Sequence, residues 1–451
     1  MPSQPNIALV VLDTLRKDHF NKYFDWLGGK KFEWAWSPSH CTPPVHASIF
    51  SGRYPHEIGV YAEKDILGDE FPVIAEVLSK NGYSTRAFSA NPLISPTFKF
   101  DRGFTDFTMA WPVRDAANDS FDWHGFLSDH RGISRYPKAL IEIFKSNSSI
   151  IPSLTQGIHL QFRSLGISPF DDDGCKKCLQ YLKSNNPPSE PSFQFINLME
   201  AHSPYRPPSE YRTVDDYYYP DAIKATFDND IRSKVDRKKV LQAYDDSVRY
   251  LSDQYKEIFH QLEEDYDIII TTSDHGELFG SDTVDGLWGH FHGIYPPLTH
   301  VPLVISGDSI IEESITEPVS LIDIFSTILE LADAGNDFSL DNSQSLLSSP
   351  YRKRTLTETH GISDMQLSKF DKNRSSLLDN IKEYDQQFAG IASYDYYGYE
   401  TPSGFHETGD SPFESPKSEL NQIIQNLSFI ESKEGDINNQ MANHLEDLGY
   451  M

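Results

Sequence analysis

"NIALVVLD", Asn6 to Asp13, is an unbroken apolar, β-branched run that stops at an acid. Strands buried on both faces of a parallel sheet read this way, whereas half-exposed strands alternate. The run therefore predicts an inner strand, with Asp13 leaving the sheet at its carboxyl end. Similar runs recur: "SFQFINLMEAH" (Ser192 to His202), "YDIIITTSDHGE" (Tyr266 to Glu277) and "THVPLVISG" (Thr299 to Gly307). Between them lie amphipathic stretches such as "FPVIAEVLSKNGYSTRAFSAN", a helix, a Gly stop and a strand, and the long helix "KVLQAYDDSVRYLSDQYKEIFHQLEE". Strands alternating with helices predict an α/β fold, a mostly parallel central sheet sandwiched by helices. The segments "FAGIASYDYYGYE" and "MANHLEDLGYM" add a small C-terminal antiparallel α+β appendage with a closing helix. The domain reading is a catalytic α/β domain over 1–345, with a loop-and-helix insertion over about 105–170, and a small subdomain over 346–451.

Charge excludes some partners. The 451-residue chain carries 39 basic against 67 acidic residues, a net charge of −28. Such a surface repels nucleic acid and anionic membranes, and it suits work in concentrated salt, where carboxylates stay hydrated and screened. No stretch approaches the ~20 apolar residues of a membrane span. The N-terminus has no basic segment followed by an apolar one, so a cytoplasmic location is expected. Of three cysteines, Cys41, Cys175 and Cys178, the CxxC pair lies in "GCKKCLQYLKS", whose pattern is that of an amphipathic helix rather than half a zinc site.

In parallel sheets chemistry collects outside the carboxyl ends of the strands. That rule selects Asp13, Glu200 with His202, and Asp274 with His275. A carboxylate and an imidazole side by side at a strand end, plus a second carboxylate from another strand, can hold one divalent cation, with Gly276 letting the chain turn. "TPPVHASIF" (Thr42 to Phe50) reads as a helix N-terminus, with Thr42 near the cap and prolines in the first turn. Amides and dipole there favour an anion by ~0.3–1 kcal/mol. A cation on the Thr42 oxygen would favour its alkoxide.

Taken together, "NIALVVLDTLRKD", "CTPPVHASIFSGRYPHEIGV", "VLSKNGYSTRAFSANP", "RGFTDF", "NLMEAHSPYRPP", "TTSDHGELFG", "WGHFHGIYPPLTHVPLVISG" and "SLIDIFSTILELA" resemble, in order, the sulfatase family of the alkaline phosphatase superfamily. The closing "LEDLGYM" and the acidity look most like sulfatase-like proteins of halophilic archaea. The resemblance implies a metal-dependent hydrolase of small-molecule or glycan sulfate or phosphate esters. Two departures qualify it. Sulfatases oxidise the first residue of C/S-x-P-x-R to formylglycine; starting that motif at Cys41 puts Val45 at the arginine. Counting back from "SGRYPH" instead places Thr42 at the nucleophile, Pro44 at the proline and His46 at the arginine. Threonine cannot become formylglycine, and Thr42 looks like the nucleophile of the superfamily's phosphodiesterases and phosphoglycerol transferases, which leaves Cys41 a bystander.

The second departure is Thr14, where sulfatases often carry a second acid after Asp13; Leu198, four residues before His202, likewise cannot serve a second metal. The resemblance thus implies one metal on Asp13, Thr42, Asp274 and His275, with Mn or Zn matching a mixed O and N set better than Ca or Mg. His46, His202 and His290 join Thr42 as catalytic candidates, with His202 or His290 protonating the leaving group. His292 competes with His290 for the family's "GH" position, and Arg16 is a candidate for holding the anion, with a surface salt bridge as its alternative. The rival functions are a phosphodiesterase or phosphonate monoesterase, a group transferase and a non-catalytic binding protein on the same scaffold. Oligomeric state is not written in the sequence.

Overall fold

The computed structural model describes residues 4–62, 65–110, 126, 135–145, 174–185, 188, 191–214, 220–334, 340, 342–362, 367 and 381–433. Two compact units emerge, one of residues 1–110 with 173–435, the other of 111–172 with 436–451. In the second unit the helix Arg135–Lys145 is described, with Ala139 and Ile143 buried. The rest of the anticipated insertion and the closing helix at 441–451 lie outside the described residues.

The first unit is built on a large sheet. In chain order its strands are β1 (Ile7–Leu12), β2 (Lys30–Trp36), β3 (Ser84–Ser89), β4 (Asp106–Met109), β5 (Ser192–Leu198) and β6 (Ile268–Thr272). A two-stranded ribbon follows, β7 (Leu278–Phe279) against β8 (Trp288–Gly289), then β9 (His300–Val301), β10 (Leu303–Ser306) and β11 (Glu313–Ser320). The order across the large sheet is β11-β2-β10-β6-β1-β5-β3-β4, with β9 branching from β2. Every residue of β1, β5 and β6 is buried, which is why those segments read as continuous apolar runs. β1 pairs in parallel with both β5 and β6, so Asp13, Glu200, His202 and Asp274 all emerge at one edge.

Two expectations are corrected here. "THVPLVISG" is not one strand: Pro302, which has no N–H to give a ladder, divides β9 from β10. β10 also runs antiparallel to β6, because the chain between them stays at the carboxyl edge without the crossover a parallel partner needs. The start of the supposed insertion is likewise an edge strand, β4, parallel to β3.

Helices cover the sheet. Arg237–Glu263 is capped by Asp236, whose side chain accepts the Lys239 N–H, and buries Val240, Tyr244, Val248 and Leu251 along one stripe. Cys175–Ser184 is helical with both cysteines on its buried face, in line with the amphipathic reading of that stretch. The small antiparallel sheet has the order β12 (Thr355–His360), β13 (Gln387–Ser393), β14 (Tyr396–Thr401), β15 (Gly404–Gly409), and belongs to the same compact unit. Asp395 takes the positive φ of 50° that the tight turn between β13 and β14 demands. Among described residues no helix is long and apolar enough to cross a membrane.

Candidate active site

The site is a buried pit at the carboxyl edge, made from the ends of β1 and β6, the excursion after β6 and one helix N-terminus. Asp13 directly follows β1 and Asp274 lies two residues beyond β6; both are fully buried. Asp274 Oδ1 accepts the backbone N–H of His275 at 2.8 Å and of Thr14 at 3.2 Å. Thr14 reaches it by adopting φ of 57°, costly for a β-branched residue. Tyr244 of the long helix braces that bend by donating to the Thr14 carbonyl at 2.8 Å. Asp13 Oδ2 accepts from Asn91 Nδ2 at 2.7 Å. This leaves Asp13 Oδ1 and Asp274 Oδ2 buried without a hydrogen-bond partner.

Thr42 opens the helix Thr42–Ser51, all of whose residues are buried. Cys41 is the cap residue and Thr42 the first helical position beside it. Thr42 Oγ1 lies 3.2 Å from His275 Nε2, and that nitrogen lies 3.5 Å from Asp274 Oδ2. His275 Nδ1 faces the Gly276 carbonyl at 2.9 Å, so its proton sits there and Nε2 turns a lone pair to the pit. The expected amide cradle is thinner than anticipated, since Pro43 and Pro44 take the next two positions and carry no N–H.

Both carboxylates sharing this space without a cation is unfavourable. Burial and the Asp274 charge together push Asp13 well above the usual carboxylate range. Asp274 moves the other way: burial opposes its charge, but His275, His46 and the two backbone N–H groups outweigh it. Oxygen atoms of Asp13 and Asp274 and a ring nitrogen of His275 lie within 4.8 Å of one another. Two orphaned carboxylate oxygens, an imidazole lone pair and a neighbouring hydroxyl are a donor set that a divalent cation fits.

Around this core the other candidates separate. His290 Nδ1 lies 3.1 Å from Glu277 Oε1, and the His290 ring stands 4.5 Å from His275 and 5.1 Å from His202, centre to centre. Tyr205 donates to the other Glu277 oxygen at 2.8 Å. Burial lowers the proton affinity of His290, yet the Glu277 charge and hydrogen bond outweigh it and raise the group above an ordinary histidine. His202 moves the other way: burial, then the facing His290, push it down to about 3 against the opposing pull of the Glu277 charge and the Ser203 carbonyl.

His46 sits under Thr42 rather than beside its hydroxyl. Its Nδ1–H donates to the Thr42 carbonyl at 2.9 Å, its Nε2 accepts from Asn197 Nδ2 at 3.3 Å, and Phe50 and Phe195 flank the ring. His292 points elsewhere, into a pocket with His40, Tyr384 and Phe388. Arg16 spends its guanidinium on Asp18 and on the Glu277 carbonyl, 3.1 Å away, so it fixes the turn after β6. Glu200 Oε1 takes the Cys175 N–H at 2.6 Å, outside the pit.

Sequence reasoning missed Asn91, Asn197 and Glu277. Asn91 ends "AFSAN" at another strand terminus and Glu277 ends "SDHGE", so the strand-end rule that found Asp13 reaches both. Nothing in the sequence marked Asn197, the next-to-last residue of β5.

The sulfatase family profile matches residues 5–334, and the chain belongs to that family. The uncharacterized sulfatase YidJ of Escherichia coli (strain K12) is 23% identical over 363 residues, 73% of this chain and 68% of YidJ. Among solved structures, the phosphonate monoester hydrolase SpPMH from Silicibacter pomeroyi superposes with a TM-score of 0.61 at 16% identity, covering 99% of this chain and 96% of its own. BT1596, a 2-O GAG sulfatase, matches with a TM-score of 0.61 at 14% identity, covering 98% and 96%. Family and site together make this a sulfatase-like ester hydrolase, with the mixed, mostly parallel sheet of that fold.

Proposed function

We propose that the chain hydrolyses sulfate or phosphate esters through a Thr42 nucleophile, with one divalent metal held by Asp13, Thr42, Asp274 and His275. The observation that carries this reading is the 3.2 Å approach of Thr42 Oγ1 to His275 Nε2 beside two unpartnered carboxylate oxygens. A divalent ion held by these residues would lower the pKa of the Thr42 hydroxyl and neutralise charge on the transferring group. Thr42 gives up its hydroxyl proton to solvent and Oγ1 attacks sulfur or phosphorus in line; the new Oγ1–S or Oγ1–P bond forms as the ester bond to the alcohol oxygen breaks. His290, kept protonated by Glu277, gives its proton to the departing alcohol. Neutral His290 next takes a proton from a water whose oxygen bonds to the same sulfur or phosphorus; the Oγ1–S or Oγ1–P bond breaks, sulfate or phosphate leaves, and Thr42 Oγ1 regains a proton from solvent. His202 contributes as a neutral imidazole facing the same space, and His46 positions Thr42 through its carbonyl. The acidity and the resemblance to halophilic archaeal proteins support work in high salt, in the cytoplasm.

Thr42→Ala is expected to cost roughly 10⁴-fold or more in kcat, as nucleophile deletions do, while Thr42→Ser retains part of it. Full activity in Thr42→Ala sinks the reading. A second reading, a phosphodiesterase or phosphonate monoesterase, is favoured by Thr42 itself, which cannot form the formylglycine hydrate of sulfatases. Turnover of an aryl sulfate, a phosphate monoester, a phosphate diester and a phosphonate monoester side by side separates the two.

A further inference from the structure

A second ligand cluster stands apart from the Thr42 site. His56 is the second residue of the short helix Pro55–Ile58, beyond the turn that ends the Thr42 helix, while Glu358 and His360 are two apart on β12 and so share one of its faces. Glu358 is fully buried and the two histidines are nearly so. Its Oε2 lies 3.4 Å from His56 Nδ1 and 3.3 Å from His360 Nε2, and the three atoms fall within 4.8 Å of one another. None of the three has a hydrogen-bond partner, although all are buried. Ordinary ion pairing would aim each ring N–H at a carboxylate lone pair; here both nitrogens converge on one oxygen without that alignment.

The spacing has a simple explanation. Tetrahedral ligands bonded to zinc at about 2.0–2.1 Å are separated by roughly 3.3 Å. We propose that His56, Glu358 and His360 form a second divalent-metal site, of the two-histidine, one-carboxylate type that zinc takes, with water in the fourth position. The supporting shell is already built. Glu358 Oε1 is occupied by the backbone N–H of His56 at 2.6 Å, which leaves Oε2 for the metal. Tyr61 stacks on the His360 ring at 3.9 Å, and Phe429 packs on His56 at 5.1 Å. The role is structural: the Glu358 backbone donates to the Pro38 carbonyl at 3.0 Å, and Ser39 donates to the Glu358 carbonyl at 2.8 Å. A metal here clamps β12 to the chain on both sides of the Thr42 helix. None of its ligands belongs to the Thr42 site, so the two sites stand or fall separately.

The test is Zn²⁺ titration by calorimetry of full-length, chelator-dialysed Asp13→Asn/Asp274→Asn protein, in which the first site is disabled. One equivalent of Zn²⁺ is expected to bind, and it should raise the melting temperature as zinc concentration rises. Adding Glu358→Gln, or separately His360→Gln, should weaken binding at least ~100-fold and remove that rise, with melting of the metal-free protein little changed. His360 sits at the rim of the cluster, so His360→Gln serves as the test if Glu358→Gln fails to fold. Absence of zinc binding to the doubly substituted parent, or binding unmoved by His360→Gln, overturns the proposal.

Discussion

Glu277 Oε1 stands 3.1 Å from His290 Nδ1 while Tyr205 holds the other Glu277 oxygen, so the carboxylate is clamped between a fixed donor and a titratable ring. This clamp separates two histidines otherwise alike: His290 is raised by Glu277, and His202 is depressed to about 3. In the proposed mechanism the leaving-group proton is therefore assigned to His290. Replacing Glu277 by Gln deletes the charge that lifts His290, so the alkaline limb of kcat should move to lower pH by about one unit or more. A kcat–pH profile of Glu277→Gln whose alkaline limb coincides with the parent's would assign the proton elsewhere.

His46 meets Thr42 at the Thr42 backbone carbonyl. His46→Gln, which can still donate to the Thr42 carbonyl, should keep much of kcat, whereas His46→Ala leaves that buried carbonyl and Asn197 without partners at a cost of ~1–3 kcal/mol in stability. Equal kcat losses in the two variants, in protein shown to be folded, would make His46 a group that meets the substrate.

Gly276 turns the chain at the end of the "SDHG" segment, yet its φ is not positive; the requirement is space. A side-chain carbon there would strike the Pro297 carbonyl oxygen, and the Gly276 N–H is fixed to Leu298 at 2.7 Å. Gly276→Ala should destabilise by roughly 1–3 kcal/mol and displace His275 as well. Urea unfolding checks the first effect and zinc or manganese affinity the second.

His292 and His300 are each pushed down to about 4, chiefly by burial. A base whose folded value lies below its unfolded one, near 6.5, resists protonation only in the native state. Below pH 6.5 the unfolded chain gains protons that the native state refuses, so stability falls until pH approaches 4. The loss is up to ~1.4 kcal/mol per pH unit for each group. Urea midpoints of chelator-treated protein from pH 7 to 4 should decline, and less so in His300→Gln.

The inner strands and the ends that carry Asp13 and Asp274 were legible because burial on both faces writes an apolar run and a polar residue then punctuates it. β2 and β11 were not: "KKFEWAW" and "ESITEPVS" carry charges and a proline, and their register slips between Ile315 and Pro318. The direction of β10 was hidden because periodicity states that a strand exists, not which way it runs. At the site, strand-end positions pointed to Asp13, Asp274 and His275 and the helix start to Thr42, four residues the structure brings together, but the same strand-end rule also selected Glu200, which takes the Cys175 N–H instead. What separated His290 from His292 was their neighbours, Glu277 for one and the aromatic side chains of β13 and its approach for the other, and such neighbours are set by tertiary packing.

The reversal of β10 has an evolutionary corollary. His275, Glu277 and His290 all hang on one excursion, from Ser273 to Pro302, whose two ends are clipped to adjacent strands by the pairing of Thr272 with Leu303. Its stems are therefore only ~4.8 Å apart, however long the chain between them grows. The stretch between Glu277 and Pro296 can thus change in length while the Thr272–Leu303 pairing keeps its stems together, so divergence around His290 has a ready mechanical route.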